Sequence, residues 1–200
     1  MPGFPGKPTR AACAALVLIL TTSAHAVVID FEGVASANSR VGVGNTYSED
    51  GFDIFNFGDP GEAAVVSVTA VGLNATGTDY YVWNDRPINN PIVLDAANGN
   101  VFSLESLDVG SFNGPGSPAS FEITGFLSVG GMLMSNVVNA AVFSPLNLNW
   151  SGLTRVEFQY VSGDLGAIDN ISLNTVPEPT TLALFGLALA GVGFARRRLH

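Results

Sequence analysis

The chain has 200 residues, seventeen acidic against eight basic, for a net charge near −9. Five of the eight basic residues (Lys7, Arg10, Arg196, Arg197, Arg198) sit at the ends, so the middle sets only Arg40, Arg86 and Arg155 against sixteen carboxylates and would repel nucleic acid or any other polyanion. Cys13, His25 and His200 are also terminal, and with no lysine between them the middle of the chain excludes imidazole-based nucleophiles, Schiff-base chemistry, Cys/His zinc sites and disulfides.

In chain order, Met1 to Ala26 carries Lys7 and Arg10, an apolar run from Ala11 to Leu20, and the small-x-small triplet Ala24-His25-Ala26. This pattern predicts a secretory signal peptide over residues 1–26, passed through the translocon and cut by signal peptidase after Ala26. The apolar run is too short to span a bilayer. Cys13 precedes it, which argues against a lipid-modified cysteine at the mature terminus.

Residues 27–175 suffice for one core and one domain. Short apolar or alternating stretches predict strands at Val27–Glu32, Phe52–Phe57, Ala64–Val71, Asp79–Trp83, Pro91–Leu94, Val101–Val109, Ser120–Val129, Val137–Phe143, Arg155–Tyr160 and Ala167–Leu173. Arg155–Tyr160 alternates strictly and places Val156, Phe158 and Tyr160 on one face. Turn-forming clusters separate the strands, among them Asn113 to Pro118, and Gly130-Gly131 is expected to turn a hairpin. No stretch has a sustained helical period. The expected fold is all-β, an antiparallel sandwich of jelly-roll form, with helices confined to the signal peptide and the C-terminal tail.

Within this body, Tyr81 and Trp83 fall on one strand face beside Asn84-Asp85-Arg86. They can form a stacking platform for a glycan or belong to the core. Sixteen carboxylates also leave open a glycoside hydrolase, which needs two acids flanking a sugar cleft. No pairing of acids with aromatics stands out in the sequence to mark one, and a non-catalytic displayed protein is the preferred class.

The tail, residues 176–200, begins with Val176-Pro177-Glu178-Pro179. The prolines fix an extended, solvated neck around Glu178. Thr180 to Ala195 is uncharged, and as a helix it covers about 24 Å of a roughly 30 Å hydrocarbon core. Arg196, Arg197 and Arg198 then hold that end on the cytoplasmic side and leave the body outside.

Pro177-Glu178-Pro179, the apolar span and the arginine cluster together resemble the PEP-CTERM sorting domain of bacterial surface proteins. The resemblance implies recognition of the Pro-Glu-Pro neck by the membrane transpeptidase exosortase. It also implies passage through the inner membrane, transient anchoring by the tail, and delivery to the cell surface or an exopolysaccharide-containing matrix. A second, weaker resemblance joins Ile29-Asp30-Phe31-Glu32-Gly33 and Ala167 to Leu173 to the first and last strands of jelly-roll carbohydrate-binding modules. It implies that these strands are neighbours and that Glu32 and Asp169, with Asp30 as a third, help hold a structural calcium ion, whose hard-oxygen ligand set this Asp- and Asn-rich body can supply. The alternative is that Asp169 and Asn170 only hydrogen-bond backbone at a strand start.

Overall fold

The computed structural model describes residues 25–36, 39–56, 63–67, 79–83, 91–113 and 116–175, together with Gly186. Ser23–Glu178 forms one unit. The expected signal helix and membrane span lie outside the described residues, among which no helix is long and apolar enough to cross a membrane.

Alternation dictates the strands. In Phe52–Asn56, residues 52, 54 and 56 are buried while 53 and 55 are half-buried, the period-2 pattern of a strand with one face on a core. Twelve strands result among the described residues: β1 His25–Ile29, β2 Arg40–Gly42, β3 Thr46–Glu49, β4 Phe52–Asn56, β5 Ala63–Ser67, β6 Asp79–Trp83, β7 Ile92–Ala96, β8 Phe102–Ser111, β9 Ala119–Leu127, β10 Met132–Ala140, β11 Ser144–Gly163 and β12 Gly166–Thr175. The hairpin between β9 and β10 turns at Gly130 and Gly131, with φ of 86° and 92°. Glycine is suited to both, because L side chains are strained there.

Every strand pairing among the described residues is antiparallel. One layer runs β2-β5-β6-β12-β8 and ends on the first half of β11; the other runs β3-β4-β7, the second half of β11, β9 and β10. β11 belongs to both: Ser144–Leu153 pairs β8, while Leu153–Gly163 pairs β9 and Val156–Phe158 pairs β7. The strand crosses between layers through register shifts around Trp150, where Asn149 and Gly152 have φ of 52° and 74°, as expected where bulges bend a strand. Successive elements switch layers repeatedly, which gives the sandwich its jelly-roll-like path.

The inward faces meet in one core containing Phe52, Ile54, Leu94, Phe102, Leu104, Phe121, Ile123, Val156, Phe158, Ile168 and Leu173. Phe52 and Phe102 pack edge to face across the layers at 5.4 Å. A second cluster covers the opposite face of β5, β6 and β12: Ala64, Val66, Tyr80, Val82 and Ala167, with Phe143 laid against them. The unbroken apolar run Ala63–Val66 is therefore buried on both faces.

Three sequence expectations change. β2 and β3 are additional, because Val41-Gly42 and Tyr47 offer too little apolar signal over so few residues. β11 starts at Ser144 instead of Arg155, with Pro145 at an edge-strand start and bulges around Asn149 and Gly152. β10 begins at Met132, five residues before the expected Val137. The expected strand Ala64–Val71 is described as Ala63–Ser67, its remainder lying outside the described residues.

The second cluster depends on a glycine. A Cβ on Gly110 would lie 2.7 Å from Cδ2 of Phe143, a ring already held edge-on by Tyr80 at 5.1 Å. Gly110→Ala is therefore expected to destabilise the body by about 1–3 kcal/mol. In urea unfolding, the Gly110→Ala/Phe143→Leu double variant should lose less than the sum of its single changes, because the smaller side chain relieves the clash.

Candidate functional site

The end of β1 and the middle of β12 bring together several of the body's acidic residues. β1 pairs β12 from His25↔Thr175 to Ile29↔Ile171, so the first and last strands are neighbours, as expected. Past Ile29 the chain turns sharply: Phe31 has φ of 58° yet is fully buried, and Gly33 follows at 76°. β12 bulges at the same level, where Asp169 faces Asp108 and Ser172 faces Ser106, with Asn170 at φ 47°. Asn is among the few side chains that tolerate this conformation.

Asp169 and Asp108 are thus directly opposite on adjacent strands, an arrangement that is unfavourable when both are charged. Both are buried, Asp169 completely. The Asn170 amide bridges them, donating from Nδ2 to Asp108 Oδ2 at 2.9 Å and to Asp169 Oδ2 at 3.3 Å, while its backbone N–H donates to Asp169 Oδ1 at 2.8 Å. Burial, together with the charges of Asp108, Glu32 and Asp30, pushes the Asp169 carboxyl up to about 8, against the pull of the Asn170 N–H.

The neighbouring loop is tied by carboxylates acting as backbone caps. Asp79 accepts from the Ala35 N–H at 3.0 Å, and its own N–H donates to Glu32 at 3.4 Å. Asp30 accepts from the Glu32 N–H at 3.1 Å. Glu49 accepts from the N–H groups of Asp30 and Phe31 at 3.4 and 3.3 Å and from the Tyr47 hydroxyl at 2.7 Å. Burial raises the Glu49 carboxyl and is opposed by these donors. Glu32 and Asp169, the expected calcium ligands, therefore belong to one electrostatic cluster with Asp30, and Asp79 and Asp108 join them. Among the described residues no group of three or more His, Cys, Asp or Glu side chains is arranged to hold a metal ion.

Tyr81 does not serve as a glycan platform. It is fully buried in the core, its ring tilted against those of Phe31 at 5.6 Å and Tyr47 at 6.5 Å, so no sugar face reaches it. The side chain of Trp83, at the end of β6, lies outside the described residues, as do Ala24 and the tail residues Pro177, Glu178, Pro179, Arg196, Arg197 and Arg198.

A second like-charged pair lies on the outer face of the other layer, where Asp53 faces Asp95. Asp53 accepts from Ser48 Oγ at 2.5 Å, and burial raises the Asp95 carboxyl despite the Arg155 charge. Arg155 binds Glu157 at 3.0 Å and lies over the Phe126 ring at 4.3 Å. The described cleft, of about 520 Å³, lies elsewhere, between β10 and the start of β11; Val109, Asn136, Val137, Ala140, Ala141, Val142, Ser144, Pro145 and Leu146 line it, none of them acidic.

Comparison with known proteins gives two findings. Residues 175–198 match the PEP-CTERM protein-sorting motif. The chain carries that motif, and the motif's first residue, Thr175, is the last residue of β12. Among solved structures, the enzymatically active domain of bacteriophage CBA120 tailspike protein 4 is similar at 14% identity and a TM-score of 0.36, over 64% of this chain and 20% of that one. The chain thus spans about a fifth of that structure's length. No curated protein matches in sequence.

The raised Asp169 carboxyl fixes the sign of a pH dependence. The fold favours its neutral form, so the stabilisation is complete below the unfolded value of about 3.9 and is lost as pH rises toward about 8. In metal-free buffer the melting temperature should fall between pH 5 and pH 8. Asp169→Asn should remove most of that slope, since an amide still accepts from Asn170 but carries no charge; an unchanged slope would place the strain elsewhere.

Proposed function

We propose that this chain is an exported, non-catalytic surface or matrix protein, released from its signal peptide after Ala26 and sorted through Pro177-Glu178-Pro179 by an exosortase-type transpeptidase. The observation that carries this reading is the PEP-CTERM motif at residues 175–198, which starts where the last strand of the body ends. Residues 180–195 serve as the transient anchor and Arg196–Arg198 as its cytoplasmic stop. The translocon and signal peptidase handle the N-terminal end.

The non-catalytic assignment is supported by where the acids are. Asp169 and Asp108 are a close pair, but Asp169 is sealed from solvent, and a glycoside hydrolase needs its two acids open to a sugar. The body's excess of negative charge disfavours an acidic polysaccharide, so the exopolysaccharide partner that fits is a neutral one.

A structural calcium ion is a second reading, favoured by the buried Asp169–Asp108 opposition with Glu32 and Asp30 nearby. These are hard oxygen donors suited to calcium, and the ion would supply only charge compensation, linking the two end strands of a body that has no disulfide.

Two measurements test these readings. Glu178→Ala should leave the melting temperature of the body unchanged while the unprocessed precursor accumulates in the inner membrane of the native host; normal surface delivery of that variant would refute the sorting role. Millimolar calcium, but not magnesium, should raise the melting temperature at pH 8, and Asp169→Asn should abolish the response; no calcium effect on the unaltered protein would rule the ion out.

A further inference from the structure

We propose that the β1–β12 ladder makes the two ends of this chain mature in a fixed order, N-terminal cleavage first and C-terminal sorting second. The proposal rests on the reading that the signal segment is removed after Ala26.

The Ala26–Val27 bond lies inside β1, with Ala26 opposite Asn174 and Val27 opposite Leu173. Val27 is only 7% exposed, and Ile29, on the same face, is fully buried. A peptidase needs an extended, unpaired segment, so a bond held in a ladder is cut only after local opening. Once β12 has docked, the bond is protected. Synthesis order opens a window: Gly166 follows Val27 by about 140 residues, a lag of about 7 to 30 s at roughly 5–20 residues per second.

The cut then changes the other end. It discards His25 and Ala26, which are the β1 partners of Thr175 and Asn174. In the uncut chain Asn174 lies between Ala26 and Ser103, and Thr175 between His25 and Phe102. After the cut β8 alone holds them, while Leu173 stays clamped between Val27 and Leu104. Pro177 is two residues beyond Thr175, at most about 7 Å of extended chain. Fraying back to Leu173 doubles that reach to about 14 Å and lets a membrane transpeptidase take the neck without pressing on the body. Signal removal thereby licenses sorting.

The test places cysteines at one rung, His25→Cys with Thr175→Cys, in a Cys13→Ser background. Residue 25 is the tolerant middle position of the cleavage triplet, and facing residues in an antiparallel pair have Cα atoms about 4.5–5.5 Å apart, within disulfide range. Intact mass after alkylation is read in the native host. The expected product starts at Val27 and carries a free thiol at position 175, whereas the same chain with cleavage blocked by Ala26→Tyr shows the 25–175 disulfide. An excised signal peptide still linked to position 175, or no disulfide in the blocked chain, would overturn the proposal.

For the second step, Ala26→Tyr without added cysteines should slow loss of the tail at least fivefold. Adding His25→Pro, which removes a backbone donor from the last rung of the β1–β12 ladder, should restore it although the chain remains uncut; failure to restore it defeats the licensing step. A mature N-terminus other than Val27 defeats the cleavage reading itself, and with it this proposal, by a separate readout.

Discussion

The fold depends on β12 being paired along both edges. One edge holds β8 over nearly its whole length; the other is shared by β6 at residues 166–168 and β1 at residues 171–175. The last strand synthesised therefore joins the first strand of the body to its middle. Its inward residues Ile168, Ile171 and Leu173 are fully buried, so the core is incomplete until it arrives. Such long-range pairing is slow to form, because loop closure must precede the contacts that reward it.

The same strand concentrates the electrostatic strain. Asp169 is carried into the interior by its position at the bulge and meets Asp108 by register, with the Asn170 amide donating to both. Buried carboxylates are costly, and a sequence with three arginines in its body has little positive charge with which to offset them. Arg155 is committed to Glu157 and Phe126 in the other layer. The body therefore meets its charge problem with backbone N–H groups and neutral protonation: Asp79 and Glu49 each end on a main-chain donor.

The sequence made some of this legible and hid the rest for identifiable reasons. Alternation in Phe52–Phe57 and Arg155–Tyr160 marked strands because each has one buried face, and the sorting tail was readable because proline, hydropathy and charge occur in fixed order. The adjacency of the body's first and last strands came from a resemblance, and the β1–β12 register bears it out. Asp108 and Asp79 escaped notice because nothing local distinguishes them: each reads as a polar residue on a strand and becomes part of the acidic cluster only through pairing with strands far along the chain. Tyr81 left two readings open in the sequence, platform or core, and the structure gives the core one. Alternation put Tyr81 on one face and Tyr80 on the other, but not which face meets the core, and here both faces are covered. Two buried apolar faces on one short strand leave no period-2 contrast to read.

β11 also has a thermodynamic meaning. Because one continuous twenty-residue strand is hydrogen-bonded into both layers, neither sheet can melt while the other survives intact. Losing either half tears the backbone ladder of the other at the shared crossing, so the calorimetric and van't Hoff enthalpies of the body should coincide. The sandwich is built as one cooperative unit, without a surviving half-molten layer to expose its strand edges.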